Sequence, residues 1–212
     1  IKSRKKIYYG QATYNSKEIN ACIKVLKKQS LALIDGKNVK ALETKIAKLF
    51  GKKYGLMVNS GSSANLLALK SLNLKKTYEV ITPTLTFSTT ISPIYHSNLV
   101  PNFVDVKKRE FVADIDQIEK QINKNTKIIL IPNLIGNIAN WEAIHKIAKK
   151  HNLITIEDSA DTIGYKLNGK NTGKLSDIVT NSLYASHIVS GAGFGGIVCF
   201  NNKEHYLRAK IL

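Results

Sequence analysis

Seven short runs rich in β-branched residues, "YGLMVNS", "YEVITPT", "LVPNFVDV", "KIILIPNL", "LITIEDSA", "DIVTNSLY" and "GGIVCF", recur between segments of helical periodicity. Apolar runs of this length suit strands buried on both faces, and parallel strands need crossover segments like those between them. The alternation predicts an α/β fold, a mostly parallel sheet covered by helices on both faces in three layers. Among the helical segments, "SKEINACIKVLKK" sets Ile19, Cys22, Ile23, Val25 and Leu26 on one face, with Ser16 as the expected N-cap and Glu18 in the first turn. "NVKALETKIAKLFG" repeats the pattern with Val39, Leu42, Ile46 and Leu49 before a stop at Gly51. "NWEAIHKIAKKHN" does so with Trp141, Ile144, Ile147 and Ala148.

A chain of 212 residues with 43% hydrophobic content suffices for one full domain and is too short for two large ones. The net charge of +17 raises a nucleic-acid reading. It is set aside because arginine occurs only as Arg4, Arg109 and Arg208, leaving 29 of 32 basic residues as lysines spread along solvated faces. Cys22 and Cys199 match no zinc-ligand or disulfide spacing and are expected to be reduced, buried thiols. No leader pattern or membrane-length apolar run is seen, so a cytoplasmic protein is expected, with neither membrane nor nucleic acid as partner. The chain starts at Ile1 and stops inside the helical-looking "HYLRAKIL", so a piece of a longer protein is expected.

Two glycine-rich stretches compete as phosphate sites. Gly191, Gly193 and Gly196 spell G-x-G-x-x-G, but a dinucleotide fingerprint needs a helix after it, and "GGIVCFNN" reads as a strand. The better site is "GLMVNSGSSANLLALKSL", where a strand ends at Val58 and Asn59, Ser60, Gly61, Ser62 and Ser63 lead into a helix. Gly61 permits a tight turn, and the helix start with its serine hydroxyls can hold a phosphate. "LITIEDSADTIG" adds Glu157 and Asp158 at the carboxyl end of an apolar strand, where open α/β sheets place ligands, and both acids are expected to serve a site. A carboxylate there can pair with a protonated ring nitrogen. Phe87, in "ITPTLTFSTTISP", can stack on a flat heterocycle.

At these residues the chain resembles the DegT/StrS family of nucleotide-sugar aminotransferases, which are fold-type I pyridoxal-phosphate enzymes. The resemblance runs from "ALIDGKNVKALETKIAKLFG" to "GGIVCF", with blocks in family order. It implies a large cofactor-binding domain over 1–212, with an N-terminal arm to about residue 35, and a C-terminal small domain lying outside the chain. It makes Gly61 and Ser62 phosphate ligands, Phe87 the ring-stacking aromatic and Asp158 the partner of the pyridine nitrogen. Asp161 takes a place near the ring hydroxyl usually held by Gln or Glu. Ser182 resembles the second phosphate-binding serine. Five residues later, where aminotransferases of the family carry their Schiff-base lysine, stands His187, and no lysine occurs between Lys174 and Lys203. Phe194 stands where the family's glycine-rich turn commonly has an acid.

Histidine at that place resembles a branch of the family, the 3-dehydratases acting on nucleotide-linked 4-keto-6-deoxyhexoses. The resemblance implies pyridoxamine 5′-phosphate as the resting cofactor, interchanging with pyridoxal 5′-phosphate. His187 would be the base, Asp158 would keep the ring nitrogen protonated, and the sugar would lose its C3 hydroxyl in a pathway of deoxysugar or lipopolysaccharide synthesis. Regeneration would use glutamate or a reductase partner. An iron–sulfur cluster in the latter case would need cysteines beyond residue 212. A homodimer and no catalytic metal are implied. Two other readings stay open: a lysine-type aminotransferase of the same family, opposed by the missing lysine, and a degenerate homologue that binds coenzyme without turnover. His96, His145, His151 and His205 are read as surface or packing residues.

Overall fold

The computed structural model describes residue 8 and residues 10–28 and 36–212; the rest of the expected N-terminal arm lies outside the described residues. All seven β-branched runs form strands of one sheet: β1 (Tyr54–Val58), β2 (Glu79–Pro83), β3 (Val100–Val104), β4 (Thr126–Pro132), β5 (Ile154–Asp158), β8 (Ile178–Ser182) and β9 (Gly196–Phe200). Their order is β1-β9-β8-β5-β4-β2-β3. The strands from β8 to β3 pair in parallel, and β9 runs antiparallel to both its neighbours. A two-stranded hairpin, β6 (Lys166–Leu167) with β7 (Lys170–Asn171), rises between β5 and β8. Nothing in the hydrophobic pattern signals strands of two residues.

Strand alternation sends successive side chains to opposite faces and divides the core. On one face Ile128, Leu130, Ile156, Val198 and Phe200 pack with Ala64, Ala68 and Leu69 of α3 (Gly61–Ser71), Ile94 of α4 (Ser88–His96) and Ala209 of α7 (Lys203–Ile211). On the other, Ile129 and Ile131 meet α5 (Ile115–Gln121) and α6 (Trp141–His151), while Val179, Ile197 and Cys199 meet α2 (Lys37–Leu49). The three expected layers are present. Trp141, Ile144, Ile147 and Ala148 are all buried, and each large side chain contributes about 2–3 kcal/mol by leaving water.

Several local expectations are corrected. α1 (Ser16–Lys27) is capped by Asn15, not Ser16, because Asn15 accepts from Lys17 N–H while Glu18 accepts from the Asn15 N–H at 2.7 Å. No residue of its apolar face is buried. In α2, Leu49 is exposed and Phe50, just past the helix, fills the core place instead; Gly51 then turns the chain at φ +68°. Cys199 is a buried thiol, pushed up to about 12 by desolvation, but Cys22 is exposed. Among the described residues no helix is long and apolar enough to cross a membrane.

Candidate active site

The carboxyl ends of the parallel strands gather most of the predicted residues. β1 leads through Asn59 to Ser60, whose hydroxyl caps α3 by accepting from Ser63 N–H at 3.1 Å. That cap leaves other N–H groups of the first turn directed out of the helix, beside the hydroxyl-bearing Ser62. Gly61 lies against Ser182, the last residue of β8: a Cβ at position 61 would stand 2.9 Å from the Ser182 Cβ. Two segments 121 residues apart in sequence thus bring backbone N–H and hydroxyl groups side by side, the kind of donor set an anionic oxygen cluster needs. Gly196 has the same use from the other side, since a side chain there would collide with Ser60 backbone.

The G-x-G-x-x-G stretch is the turn that carries β8 into antiparallel β9. Leu183 N–H bonds to Gly195 O, Gly191 N–H to Leu183 O and Ala185 N–H to Gly193 O. Gly193 and Gly195 adopt φ of +122° and +150°, which side chains rarely tolerate. The glycines serve the turn, and β9 follows them as expected. Phe194 is 73% exposed, its ring edge-on to Tyr184.

Glu157 and Asp158 are both buried, but not in one site. Asp158 projects toward α3 and α4: its Oδ2 accepts from Asn65 Nδ2 at 2.9 Å and Thr90 Oγ1 at 2.8 Å, and Oδ1 accepts from Ala160 N–H at 3.2 Å. Asn65 is itself held by Thr180, whose hydroxyl donates to Asn65 Oδ1 at 2.6 Å. Burial pushes the Asp158 carboxyl up, and these donors oppose the shift. Glu157 projects to the other face, where Asn133, Ser159, Thr172 and Ser176 donate to it at 2.6–3.1 Å. Lys52 donates to Ser176 O within the same buried cluster, and its ammonium is held down at about 8 by desolvation. The expectation that both acids serve a site is corrected for Glu157: adjacent strand residues face opposite ways, and Glu157 ties β5 to the β6–β7 excursion.

Phe87 precedes α4 as its N-cap residue, 67% exposed and three residues before the Asp158 partner Thr90. Asp161 lies on the turn after β5, where Asn181 Nδ2 clasps the carbonyls of Ser159 and Thr162. Its Oδ2 accepts from Ile135 N–H at 2.8 Å, and its Oδ1 stands 3.4 Å from His187 Nδ1. The Asp161 charge also acts on Asp158, pushing its carboxyl further up. His187 sits on the β8–β9 turn, its N–H bonded to Tyr184 O and its ring 6.2 Å from the Tyr184 ring. Sequence reasoning missed Asn65, Thr90 and Thr180. An asparagine four residues after Gly61, inside an otherwise apolar stretch, was a usable signal for Asn65; the threonines carried none.

The sheet order, the Gly61–Ser182 contact and the buried acid at the end of β5 define a mostly parallel fold of the pyridoxal-phosphate fold-type I class. Within that class, the DegT/DnrJ/EryC1/StrS aminotransferase family profile matches residues 13–212, and the chain belongs to that family. It is 35% identical over 201 residues to GDP-4-keto-6-deoxy-D-mannose 3-dehydratase of Yersinia pseudotuberculosis, covering 92% of this chain and 50% of that protein. It is 40% identical over 172 residues to dTDP-4-dehydro-2,6-dideoxy-D-glucose 3-dehydratase of Saccharopolyspora spinosa, covering 77% of this chain and 37% of the relative. The crystal structure of a GDP-4-keto-6-deoxymannose-3-dehydratase with a trapped PLP–glutamate geminal diamine superposes with a TM-score of 0.90 at 32% identity, covering 97% of this chain and 54% of that one. The chain spans about half the length of these relatives or less.

Proposed function

We propose that this chain is the large, coenzyme-binding domain of a pyridoxamine-phosphate-dependent 3-dehydratase acting on a nucleotide-linked 4-keto-6-deoxyhexose. The observation that carries the reading is Asp158, a buried carboxylate held by three neutral donors and, among the described residues, without a salt bridge. Its Oδ1, with a single backbone donor, retains acceptor capacity for the protonated nitrogen of a flat heterocycle. The Gly61–Ser182 junction, with serine hydroxyls and helix-start N–H groups, would take the phosphate of the same group. The residues present therefore fit pyridoxal or pyridoxamine phosphate, and the neighbouring dehydratase structure with PLP and glutamate agrees.

When bound, the coenzyme would supply an amine for the sugar ketone and an electron sink for proton loss. Gly61, Ser62 and Ser182 would fix its phosphate and Phe87 would cover one face of its ring. Asp161 would sit near the ring hydroxyl. Asp158 would hold a proton on the ring nitrogen, the state in which the ring withdraws electrons best. His187 would take a proton beside the reacting carbon and could return one to the departing C3 hydroxyl, a task suited to imidazole near neutral pH. Histidine at this place forms no imine, which is why a resting amine form follows from the residue itself. Glutamate would restore that amine. Exposed Phe87, Ile135, Ile188 and Phe194 on the surrounding loops support a second copy of the chain as the cover of the site. The free cysteines agree with a reducing, cytoplasmic setting.

The test supplies the full-length protein with pyridoxal phosphate, glutamate and GDP- or dTDP-linked 4-keto-6-deoxyhexoses. A product lacking the C3 oxygen supports the dehydratase; an amino sugar that keeps it would place the chain among the aminotransferases. Coenzyme binding with neither product would mark a degenerate homologue.

A further inference from the structure

The pair formed by Asp161 and His187 has a geometry that the ring-hydroxyl reading of Asp161 does not use. Asp161 Oδ1 faces His187 Nδ1 at 3.4 Å, and its other oxygen is anchored by the Ile135 N–H at 2.8 Å. Ile135 is a β-branched residue at φ +55°, a conformation costing on the order of 1–2 kcal/mol that the bond to Asp161 helps hold in place. The turn carrying Asp161 is itself pinned, by Asn181 on the Ser159 and Thr162 carbonyls and by Ser159 N–H on Thr180 O. Both side chains are sheltered, at 34% exposure for Asp161 and 25% for His187. A carboxylate fixed at one oxygen and directed with the other at one imidazole nitrogen sets which nitrogen keeps the proton.

We propose that Asp161 is a positioning residue for His187. It accepts the Nδ1 proton, fixes the Nδ1–H tautomer and so leaves Nε2 as the nitrogen that takes protons from the reacting group. This rests on the reading of His187 as the base, yet the tautomer exists in the protein before any coenzyme is added. The spare lone pairs of Asp161 leave room for the coenzyme hydroxyl as well. At 3.4 Å the contact is longer than a formed hydrogen bond, as such pairs often are before ligand binds.

The test is ¹⁵N NMR of the full-length protein labelled in histidine, without coenzyme, at a pH where imidazole is neutral. The His187 signals are assigned by their loss in His187→Gln. The expected result is a protonated Nδ1 in the parent, retained in Asp161→Asn, whose amide oxygen still accepts, and lost to the mixture of free imidazole in Asp161→Ala. In turnover, Asp161→Ala is expected to lower kcat about 10–100-fold with KM little changed, and Asp161→Asn to recover most of it. A parent His187 protonated at Nε2, or a tautomer unmoved by Asp161→Ala, overturns the proposal. If the NMR result holds but His187→Gln still turns over, the role of His187 as base falls and the Asp161 contact stands.

Discussion

Glu157 receives four hydrogen bonds on the face of the sheet that packs against α2 and α6, whereas Asp158, one residue on, receives three on the face that packs against α3 and α4. Both are pushed up by burial, so neither fraction of surface nor pKa direction tells them apart. What differs is the charged neighbour of each. Glu157 takes one amide and three hydroxyl donors with the buried Lys52 ammonium acting on it, while Asp158 takes three neutral donors and the charge acting on it is the Asp161 carboxylate. A buried carboxylate beside a buried cation of its own chain is already compensated; one held by neutral donors alone has capacity left for a cationic group.

The largest expected effect that sharpens this contrast is on turnover. Asp158→Asn keeps the shape but removes the charge that stabilises a protonated ring nitrogen, and should lower kcat about a thousandfold while leaving the urea midpoint close to the parent. Equal loss of stability and activity would count against the division. Glu157→Ala should do the reverse: it orphans donors from Asn133, Ser159, Thr172 and Ser176 and should destabilise by about 4 kcal/mol in denaturant unfolding, with coenzyme affinity of the folded fraction unchanged.

A third prediction uses pH. Lys52 titrates at about 8 when folded against 10.5 in the unfolded chain. Below about pH 8 both states hold the proton and Lys52 adds no slope. Between about 8 and 10.5 the unfolded state binds the additional proton, so stability from this group rises with pH, by about 3 kcal/mol across the window. Unfolding of the parent minus that of Lys52→Met, measured from pH 7.5 to 10, should show that rise, and a flat difference would mean the ammonium is not buried as described. The smallest effect is expected at Asn65. Asn65→Ala leaves Asp158 with Thr90 and Ala160 N–H and should weaken pyridoxamine phosphate binding about tenfold, read by absorbance titration, or about 1.4 kcal/mol.

Much of this was legible because it rests on period and spacing. The seven strands announce themselves as apolar runs, although β3 at the sheet edge buries only Val104, and α6 shows its whole buried face in four residues. Gly61 and Asp158 stood out by their places after β1 and at the end of β5, while Ser182 and His187 were marked only by the family resemblance. The separation of Glu157 from Asp158 was legible in principle, since alternation sends neighbours to opposite faces, but only the packed neighbours show which face each acid takes. Asn65, Thr90 and Thr180 act through contacts across 68 to 115 residues, which no local pattern encodes. Asn15 displaced Ser16 as cap because its side chain accepts from Lys17 N–H, one residue earlier in the chain than the expected cap.

The proposed coenzyme site is built around histidine instead of an imine-forming lysine. It is tested most directly by adding pyridoxal phosphate with and without competing pyridoxamine phosphate, reducing with borohydride and mapping modified peptides in the parent and in His187→Lys. No pyridoxamine-protected lysine adduct is expected in the parent, and a protected adduct at position 187 is expected in the variant. A protected adduct on any lysine of the parent would contradict it.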